Sequence, residues 1–388
     1  MKAKGIEKVL VTGGCGFIGS HTVDLLIERG YDVTILDNLE PQVHGKNAKI
    51  PSYTNKKARI VQENFQDWET LKENISNTDA ILHLAALVGV GQSMYQIDRY
   101  VKTNTEGSAV LLDLVANGKH NLKKIVVASS MTIYGEGAYF CTSCAVEVYP
   151  PIRDSRALEL KQWDPLCPNC SSPLIPKPTS EEKPLMPTSI YAMTKHHQEE
   201  MSLLVGKTYD VPAVALRYFN VFGSRQALSN PYAGCGAIFT SHILNNQPPY
   251  IFEDGKQSRD FIHVKDVARA NVCALESKDA NYEAINVGTG TPISIGGLAE
   301  SLAELLGKKS LMPQISGEYR KGDVRHCYAD VKKAEKLMSF TSSLSVAEGL
   351  AELLEWSKTQ KTLKAGSFEK ALRAVSYTHL TLPTILLV

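Results

Sequence analysis

A serine, a tyrosine and a lysine in this chain have the side chains and the spacing to move protons at an alcohol. Tyr191 and Lys195 are four residues apart, so on a helix their side chains lie on one face. A neighbouring positive charge favours the phenolate, which lowers the pKa of a tyrosine from about 10 and makes Tyr191 a usable general base. Ser130, upstream, offers a hydroxyl to the same site. The competing interpretation is a surface pair on an amphipathic helix.

A glycine-rich turn near the N-terminus follows an apolar strand and precedes a helical pattern. Gly14, Gly16 and Gly19 have the GxGxxG spacing at which backbone amides and a helix N-terminus approach a pyrophosphate. A second strand runs from Asp32 to Leu36 and is followed by Asp37, an acid placed to accept hydrogen bonds from a ribose. Because no arginine follows to bind a 2′-phosphate, the sequence predicts NAD rather than NADP. The alternative is a purely structural turn.

Composition excludes several functional classes. The chain has 388 residues, 43% of them hydrophobic and 21% charged, with 42 basic and 41 acidic side chains and a net charge of +1. This balance gives no reason to expect a nucleic acid or a membrane surface as partner. No basic region followed by an apolar one opens the chain, and no apolar run is long enough to span a bilayer. We therefore expect an enzyme of the cytoplasm.

Short β-rich runs alternate with helix-length segments along the chain, for example Ser93 to Asn117. Such alternation predicts an α/β fold with a doubly wound parallel sheet of the Rossmann type. Ligands of these sheets bind at the carboxyl ends of the strands. Beyond the first two strands, the β-rich runs are Ile60 to Gln62, Ala80 to Ala85, Ile125 to Ser129 and Val214 to Tyr218.

The expected domain organisation is interleaved. Residues 1–135 and 180–228, with a return segment 256–280 that contains a further strand, would form an NAD-binding domain. Residues 229–255 and 281–365 would form a smaller, mixed, substrate-covering domain, and residues 136–179 an insertion. The last residues, 376–388, resemble a translated cloning adaptor rather than native chain.

The insertion 136–179 contains four of the eight cysteines. Cys141 and Cys144 form one CxxC pair and Cys167 and Cys170 a second, with 22 residues between the pairs, which is the spacing of a zinc ribbon. Four thiolates in a tetrahedron make a closed site, so the expected role of Zn²⁺ is structural. The competing interpretation is disulfides, which a reducing compartment disfavours. Because the segment is rich in proline, metal would supply folding energy that packing does not.

The order of these motifs carries a family resemblance. The chain resembles the extended short-chain dehydrogenases/reductases, and within them the NAD-dependent nucleotide-sugar epimerases and dehydratases, up to about residue 360. The resemblance implies a bound NAD that stores a hydride transiently, a nucleoside-diphosphate sugar oxidised at C4, and a homodimer. The motifs are Thr12–Gly19, Asp37–Leu39, His83–Ala86, Asn104, Ser129–Ser130, Tyr191–Lys195, Arg217–Gly223 and Arg259–Phe261.

The resemblance also implies roles for individual residues. Tyr191 would take the hydroxyl proton, Lys195 would orient the nicotinamide ribose, and Ser130 would hydrogen-bond the same oxygen as Tyr191. Besides Ser130, the residues similar to those that contact the sugar nucleotide are Asn220, Arg259 and Arg325, although a surface ion pair is the alternative for each arginine. The cofactor contacts would come from Gly13, Gly16, Phe17, Ile18, Gly19, Asp37, Asn38, Asn64, Phe65, Leu84, Ala85, Ala86, Asn104, Tyr191 and Lys195.

The residues after Ser130 bear on the reaction. Dehydratases that resemble this chain have an Asp-Glu pair there, whereas this chain has Met131 and Thr132, so 4-epimerisation becomes the leading hypothesis. Three segments, 41–45, 88–94 and 224–232, resemble a subgroup of dTDP-L-rhamnose 4-epimerases. A dehydratase or another enzyme that modifies nucleotide sugars stays open, as does a non-catalytic NAD-binding sensor. The presence of Ser130, Tyr191 and Lys195 together weighs against the sensor.

Overall fold

The computed structural model describes residues 2–46, 48–228, 230 and 234–360. The interpretation of 376–388 as an adaptor therefore lies outside the described residues, as does the end of the predicted substrate-covering domain. No helix in the described part of the chain combines the length and the apolar character that crossing a membrane requires.

The strands are numbered in chain order. They are β1 Lys8–Thr12, β2 Asp32–Leu36, β3 Arg59–Val61, β4 Ala80–His83, β5 Lys124–Ser130, β6 Ala138–Cys141, β7 Val146–Val148, β8 Ile175–Lys177, β9 Ala213–Tyr218, β10 Asn220–Phe222, β11 Tyr250–Ile251, β12 Ser258–His263, β13 Ala284–Val287, β14 Pro292–Ser294, β15 Gln314–Ile315 and β16 His326–Cys327.

The helices are numbered in the same way. They are α1 Phe17–Glu28, α2 Pro41–His44, α3 Trp68–Ile75, α4 Val90–Ser93, α5 Ile97–Tyr100, α6 Gly107–Asn117, α7 Ser155–Glu159, α8 Ile190–Thr208, α9 Cys235–Leu244, α10 Val264–Glu276, α11 Ile295–Leu305, α12 Lys332–Met338 and α13 Val346–Ser357; a π-helical turn spans Val101–Glu106 and a 3₁₀ turn Met131–Tyr134.

The predicted doubly wound sheet is confirmed. Seven strands pair in the order β13-β9-β5-β4-β1-β2-β3, and every pairing is parallel. The inner strands are buried on both faces, as the continuous apolar runs of a parallel sheet require. Helices α1 and α10 pack together on one face, and α3, α6 and α8 cover the other. The carboxyl ends of β1, β4, β5 and β9 thus meet at one edge.

A smaller C-terminal unit stands beside this sheet. Strands β10, β12, β14 and β16 form its mixed sheet, in which β12 is central. Helices α9, α11 and α13 bury their apolar faces around Phe261. β12 continues directly into α10, so the chain passes back from this unit to the large sheet.

The segment between β5 and α8 forms a compact insertion. Its strands pair antiparallel in the order β7-β6-β8, and its small apolar cluster includes Tyr139, Val148 and Leu174. Thr179 ties its exit to the C-terminal unit through a β-bridge with Ala329. The sequence predicted the cysteine spacing but not this sheet, because its strands are only three or four residues long.

Several local predictions differ from the structure, among them the strand predicted from Ala80 to Ala85, which ends at His83. The helix expected from Ser93 to Asn117 is interrupted: α4 and α5 are single turns, a π-helical turn follows at Val101–Glu106, and only Gly107–Asn117 is regular α-helix. The third strand begins and ends one residue earlier than predicted, because Arg59, not Gln62, pairs with β2.

Candidate active site

The glycine turn after β1 leaves room for backbone to approach a ligand. Gly13 has a φ of +73°, and its N–H donates to the Leu36 carbonyl at 2.9 Å. A Cβ on Gly19 would stand 2.1 Å from the Gly13 oxygen, and a Cβ on Gly13 would stand 2.9 Å from the Ala85 backbone. Only hydrogens fit at these positions. Gly16 caps α1, so Phe17 and Ile18 begin the helix whose N-terminus faces this turn. The cradle fits a pyrophosphate.

Asp37 stands at the end of β2, beside the glycine turn. Its carboxylate accepts hydrogen bonds from the backbone N–H groups of Cys15 and Leu39, each at 2.9 Å, and is largely buried. These two bonds fix the direction of the carboxylate. The neighbouring Asn38 is exposed. The arrangement suits an acid that accepts hydrogen bonds from ribose hydroxyls.

The loop after β4 is braced by two buried polar side chains. The Thr12 carbonyl accepts from the Leu84 N–H, and the Thr12 hydroxyl accepts from the Ala85 N–H. Asn104, in the π-helical turn, accepts from the Leu87 N–H at 2.8 Å and donates to the Leu87 carbonyl and to the Thr194 hydroxyl, both at 3.0 Å. The amide of Asn104 therefore holds this loop against α8.

Two other predicted cofactor residues follow β3. The Phe65 ring lies buried against the imidazole of His83, with ring centroids 5.3 Å apart. The Asn64 side chain accepts from the Gln66 N–H and so shapes the turn into α3. Ala86 lies in the loop that Asn104 braces, partly buried. The structure thus brings the predicted NAD residues to one edge of the sheet.

The catalytic trio comes together across β5 and α8. Ser130 is the last residue of β5, and Tyr191 and Lys195 lie on the first turns of α8, whose N-cap is Ser189. The Ser130 hydroxyl faces the Tyr191 phenol closely enough to lower the pKa of the phenol. It also accepts from the Thr132 hydroxyl at 2.9 Å. The three side chains are buried, and Ser130 meets Tyr191 although 61 positions separate them in the sequence.

Burial controls the pKa values of this trio. Removal from water raises the pKa of Tyr191 to about 12, although the Ser130 hydroxyl lowers it, and burial lowers the pKa of Lys195 to about 7. The protein's own side chains therefore shift the Tyr191 pKa in the direction opposite to the sequence prediction. The reason is burial, and the Lys195 ammonium, which the sequence prediction paired with the phenol, donates to the Gln198 side chain at 2.9 Å.

A buried polar chain that sequence reasoning missed lies beneath Lys195. Gln198 donates to the Ser108 hydroxyl at 2.7 Å, and the His83 imidazole lies 3.0 Å from the same hydroxyl and 2.8 Å from that of Thr12. Burial, reinforced by Lys195, lowers the pKa of His83 to about 3, so its ring is neutral. The signal in the sequence was a polar residue three positions after Lys195 on the same helix face.

On the other side of the trio, the C-terminal unit offers groups for an anion. Asn220 begins β10, and its side-chain oxygen is buried without a hydrogen-bond partner among the described residues. Arg259 donates to the Val324 and Arg325 carbonyls and stands 3.6 Å from the carboxylate of Asp323. An unsatisfied buried acceptor is costly, so Asn220 is suited to contact a ligand.

Arg325 does not share this location. Its side chain is fully buried, and its guanidinium is paired with Asp164 at 2.7 Å, Glu253 at 3.0 Å and Asp254 at 2.6 Å. The sequence predicts that Arg325 binds phosphate oxygens. In the structure, however, the N–H groups of its guanidinium already bind three carboxylates. The sequence could not show this, because those partners are 71 to 161 positions away.

Arg320 is the arginine that stands beside Arg259. It donates to Asp323 at 2.8 Å and lies over the Phe252 ring at 4.8 Å, and its Nε is buried without a partner in the described structure. Both arginines lower the pKa of Cys235, the first residue of α9, against the larger effect of burial, which raises it to about 11. We call Arg259, Arg320 and Asp323 the anion corner.

The four cysteines of the insertion converge. Their sulfur atoms lie within 4.8 Å of one another, with Cys141 and Cys170 3.5 Å apart and Cys144 and Cys167 4.0 Å apart. A tetrahedron of thiolates around Zn²⁺ has S–S edges of about 3.8 Å, as Zn–S bonds of about 2.3 Å require. The Cys144 N–H also donates to the Cys141 sulfur at 3.4 Å. All eight cysteines are free thiols, and the donor set fits zinc.

Comparison with known proteins agrees with this geometry. Residues 9–155 and 168–288 match the sequence profile of the NAD dependent epimerase/dehydratase family. The chain belongs to this family. The unmatched stretch between the two parts, residues 156–167, lies inside the insertion and ends at Cys167. By its family, the protein is an NAD-dependent enzyme of the nucleotide-sugar epimerase type.

Three relatives illustrate the range of the family. The chain is 33% identical to dTDP-L-rhamnose 4-epimerase of Burkholderia thailandensis over 90% of its own length and 94% of that protein. UDP-N-acetylglucosamine 4-epimerase of Methanobrevibacter ruminantium, solved with UDP-N-acetylmuramic acid, is 33% identical with a TM-score of 0.74, covering 93% of this chain and 100% of that one. UDP-glucuronic acid 4-epimerase of Bacillus cereus, solved with its sugar nucleotide and NAD, is 26% identical with a TM-score of 0.72, covering 90% and 99%.

Proposed function

We propose that this enzyme inverts the configuration at C4 of a nucleoside-diphosphate sugar. The observation that carries the proposal is the contact between Ser130 and Tyr191, with Lys195 one turn further along α8. A hydroxyl and a phenol that face each other can hold one alcohol oxygen between them. Met131 and Thr132, which follow Ser130, provide no carboxylate to protonate a leaving hydroxyl.

Each side chain has a defined part in this reaction. Tyr191 takes the proton of the sugar hydroxyl. It returns the proton after the keto sugar has turned so that the other face of C4 receives the hydride. Ser130 orients that oxygen, and Lys195 contributes the positive charge that favours the phenolate. Asp37 and the glycine turn would hold the cofactor. NAD, when bound there, accepts the C4 hydride and gives it back.

The proposed substrate binds with its diphosphate at the anion corner. Arg259 and Arg320 supply two guanidinium groups, which suit phosphate oxygens, and Asn220 has a free acceptor for a sugar or phosphate hydroxyl. Among sugar nucleotides, dTDP-L-rhamnose is our first candidate, because segments 41–45, 88–94 and 224–232 resemble that subgroup and a relative named for it is 33% identical over 90% of this chain. The alternative is a dehydratase, since the family includes both reactions.

This proposal divides the chain by function. Residues 1–135, 180–228 and 256–280 would bind NAD, and residues 229–255 and 281–365 would bind the sugar nucleotide. The glycine turn lies on the seven-stranded sheet and the anion corner on the smaller unit, which supports this division in outline. Asn220 and Arg259 are exceptions, because they lie in 180–228 and 256–280 but belong to strands β10 and β12 of the smaller unit.

The deciding experiment is to incubate the purified enzyme with dTDP-, UDP- and GDP-sugars and to resolve the products by NMR. We expect a mixture of C4 epimers from one nucleotide class without added reductant. A 4-keto-6-deoxy product would assign the enzyme to the dehydratases instead. No turnover of any sugar nucleotide would contradict the proposed function.

We further propose that Cys141, Cys144, Cys167 and Cys170 hold one structural Zn²⁺. The sulfur separations support this, and four thiolates leave no open position for a substrate. Because such a site needs all four cysteines reduced, a cytoplasmic location suits it. In this role the metal fixes the fold of the insertion and takes no part in proton transfer.

A homodimer is the proposed assembly. Helices α5 and α8 pack together, and each leaves large apolar side chains in solvent, among them Ile97, Met193 and Leu204. Such side chains are typical of a surface that a second copy covers. Light scattering of the purified enzyme should give twice the chain mass, and Leu204→Glu should shift it toward the monomer. A monomeric wild type would contradict this assembly.

A further inference from the structure

The insertion is attached to the C-terminal unit by a buried arginine. The Arg153 side chain is only 4% exposed and forms a two-pronged ion pair with Glu253, at 3.0 and 2.7 Å. The same guanidinium donates to the Asp323 carbonyl at 2.9 Å and to the Trp163 carbonyl at 3.0 Å. Arg153 therefore joins the insertion to the backbone of a residue in the anion corner.

Three more side chains of the insertion reach the same loop. Asp164 accepts from Arg325 at 2.7 Å, and the Trp163 ring faces the Tyr319 ring with centroids 6.4 Å apart. Glu136, where the insertion begins, accepts from the backbone N–H groups of Arg325 and His326, at 2.9 and 2.8 Å. We call residues 319–326 the arginine loop.

The arginine loop carries two of the three residues of the anion corner. Arg320 and Asp323 belong to it, and Arg259 donates to its Val324 carbonyl. Bidentate recognition of a phosphate requires a guanidinium held in one orientation. The Nε of Arg320 is buried and unpaired in the described structure, so its direction depends on how the loop is held.

Resting on the function proposed above, we propose that the insertion is a positioning device for substrate binding. Through Arg153, Trp163 and Asp164 it holds the arginine loop in the conformation in which Arg320 faces the diphosphate of the sugar nucleotide. These residues act through Arg320 and touch neither the sugar nor the cofactor. The insertion thus determines affinity for the nucleotide part of the substrate, and the zinc ion, by ordering the insertion, acts on that affinity too.

The test is calorimetric binding of dTDP and UDP, which carry the diphosphate without the sugar, to the NAD-loaded enzyme. Arg153→Met should weaken binding of the preferred nucleotide at least about tenfold and raise KM for the sugar nucleotide similarly, with kcat within about twofold. Arg153→Met should have less than about twofold effect when introduced into Arg320→Met, because both changes act on one contact. Additive losses would overturn the proposal, since they would mean that Arg153 acts independently of Arg320.

Two further variants distinguish the proposed effect from misfolding and from a general disturbance of the insertion. Asp164→Asn preserves shape and leaves Arg325 its other two carboxylates, so if Arg153→Met fails to fold, Asp164→Asn should still weaken nucleotide binding severalfold. The control is Glu147→Gln, which breaks an exposed ion pair with Lys177 on the same insertion and should leave binding unchanged. Equal effects of Asp164→Asn and Glu147→Gln would overturn the inference. An enzyme that binds nucleotide but epimerises nothing would instead contradict the proposed function alone.

Discussion

Burial, rather than neighbouring charge, sets the resting chemistry of the catalytic side chains. The pKa of Tyr191 is raised to about 12 and that of Lys195 is lowered to about 7, so the protein alone favours a neutral phenol and an easily deprotonated amine. A positive charge next to the phenol is the change that would make Tyr191 a base at neutral pH. Proton transfer by Tyr191 therefore requires a site in which such a positive charge stands beside the phenol.

Removing the Tyr191 hydroxyl tests this assignment. Tyr191→Phe keeps the buried ring but deletes the proton acceptor, so kcat should fall by about 10²- to 10⁴-fold while NAD stays bound. The matched control is Tyr209→Phe at the exposed end of the same helix, which should retain wild-type turnover. Steady-state kinetics and the cofactor content of the purified variants provide the measurement. Normal turnover by the Tyr191→Phe variant would remove Tyr191 from the mechanism.

His83 predicts a dependence of stability on pH. Its pKa is about 3 in the folded protein and about 6.5 in an unfolded chain, so below pH 6.5 the unfolded state binds a proton that the folded state does not. The stabilisation is complete above pH 6.5 and is lost as the pH falls toward 3. Urea unfolding between pH 7.5 and 4.5 should show a steeper loss for wild type than for His83→Gln. Parallel curves would contradict a buried neutral imidazole.

For the second arginine of the anion corner, the sequence indicated Arg325, whereas the structure has Arg320 beside Arg259. Arg320 and Arg325 lie five residues apart in one irregular loop, and both have the same side chain. What separates them is the set of carboxylates that surrounds Arg325, one of which comes from the insertion. Motif spacing predicts which side chains are neighbours on one helix or strand. It does not predict contacts with partners that are distant in the sequence. Tyr191 and Lys195 were predictable because one helix fixes their separation.

Among the elements, the seven-stranded sheet was predictable and the interrupted helix was not. Apolar runs of parallel strands are visible in the sequence because both faces of the sheet are covered. The π-helical turn at Val101–Glu106 has no such signature. It arises where Asn104 turns its amide into the protein to bind Leu87 and Thr194, a set of contacts that only the tertiary fold brings together.

The insertion yields a prediction for metal content. The purified enzyme should contain about one zinc per chain, bound by four sulfurs at about 2.3 Å as measured by X-ray absorption. Cys167→Ser should lower the Tm and raise KM for the sugar nucleotide, with a smaller effect on NAD binding, because no thiolate is needed for proton transfer. The control is Cys273→Ser on α10, remote from the cluster in sequence, which should leave the zinc content intact. Metal-free protein with cysteines oxidised in pairs would contradict the zinc site.

For the whole molecule, the prediction concerns the hydrogen at C4. If one enzyme-bound cofactor serves both halves of an epimerisation, the reaction should run without added NADH, and in D₂O no deuterium should enter C4. Substrate labelled with deuterium at C4 should yield both epimers with the label retained, as mass spectrometry and NMR can measure. Solvent deuterium at C5 would indicate elimination of water instead and would favour the dehydratase alternative.

The pairing of β6 with β8 sets the two ends of the insertion side by side, with Ala138 opposite Lys177. A short hairpin turn could therefore replace everything between them without displacing the flanking chain. From the cluster around Arg325, such an excision would remove one positive and one negative charge, Arg153 and Asp164, and would leave Arg325 facing both Glu253 and Asp254. The insertion is thus a detachable module, because its excision removes one charge of each sign and leaves the net charge of this cluster unchanged.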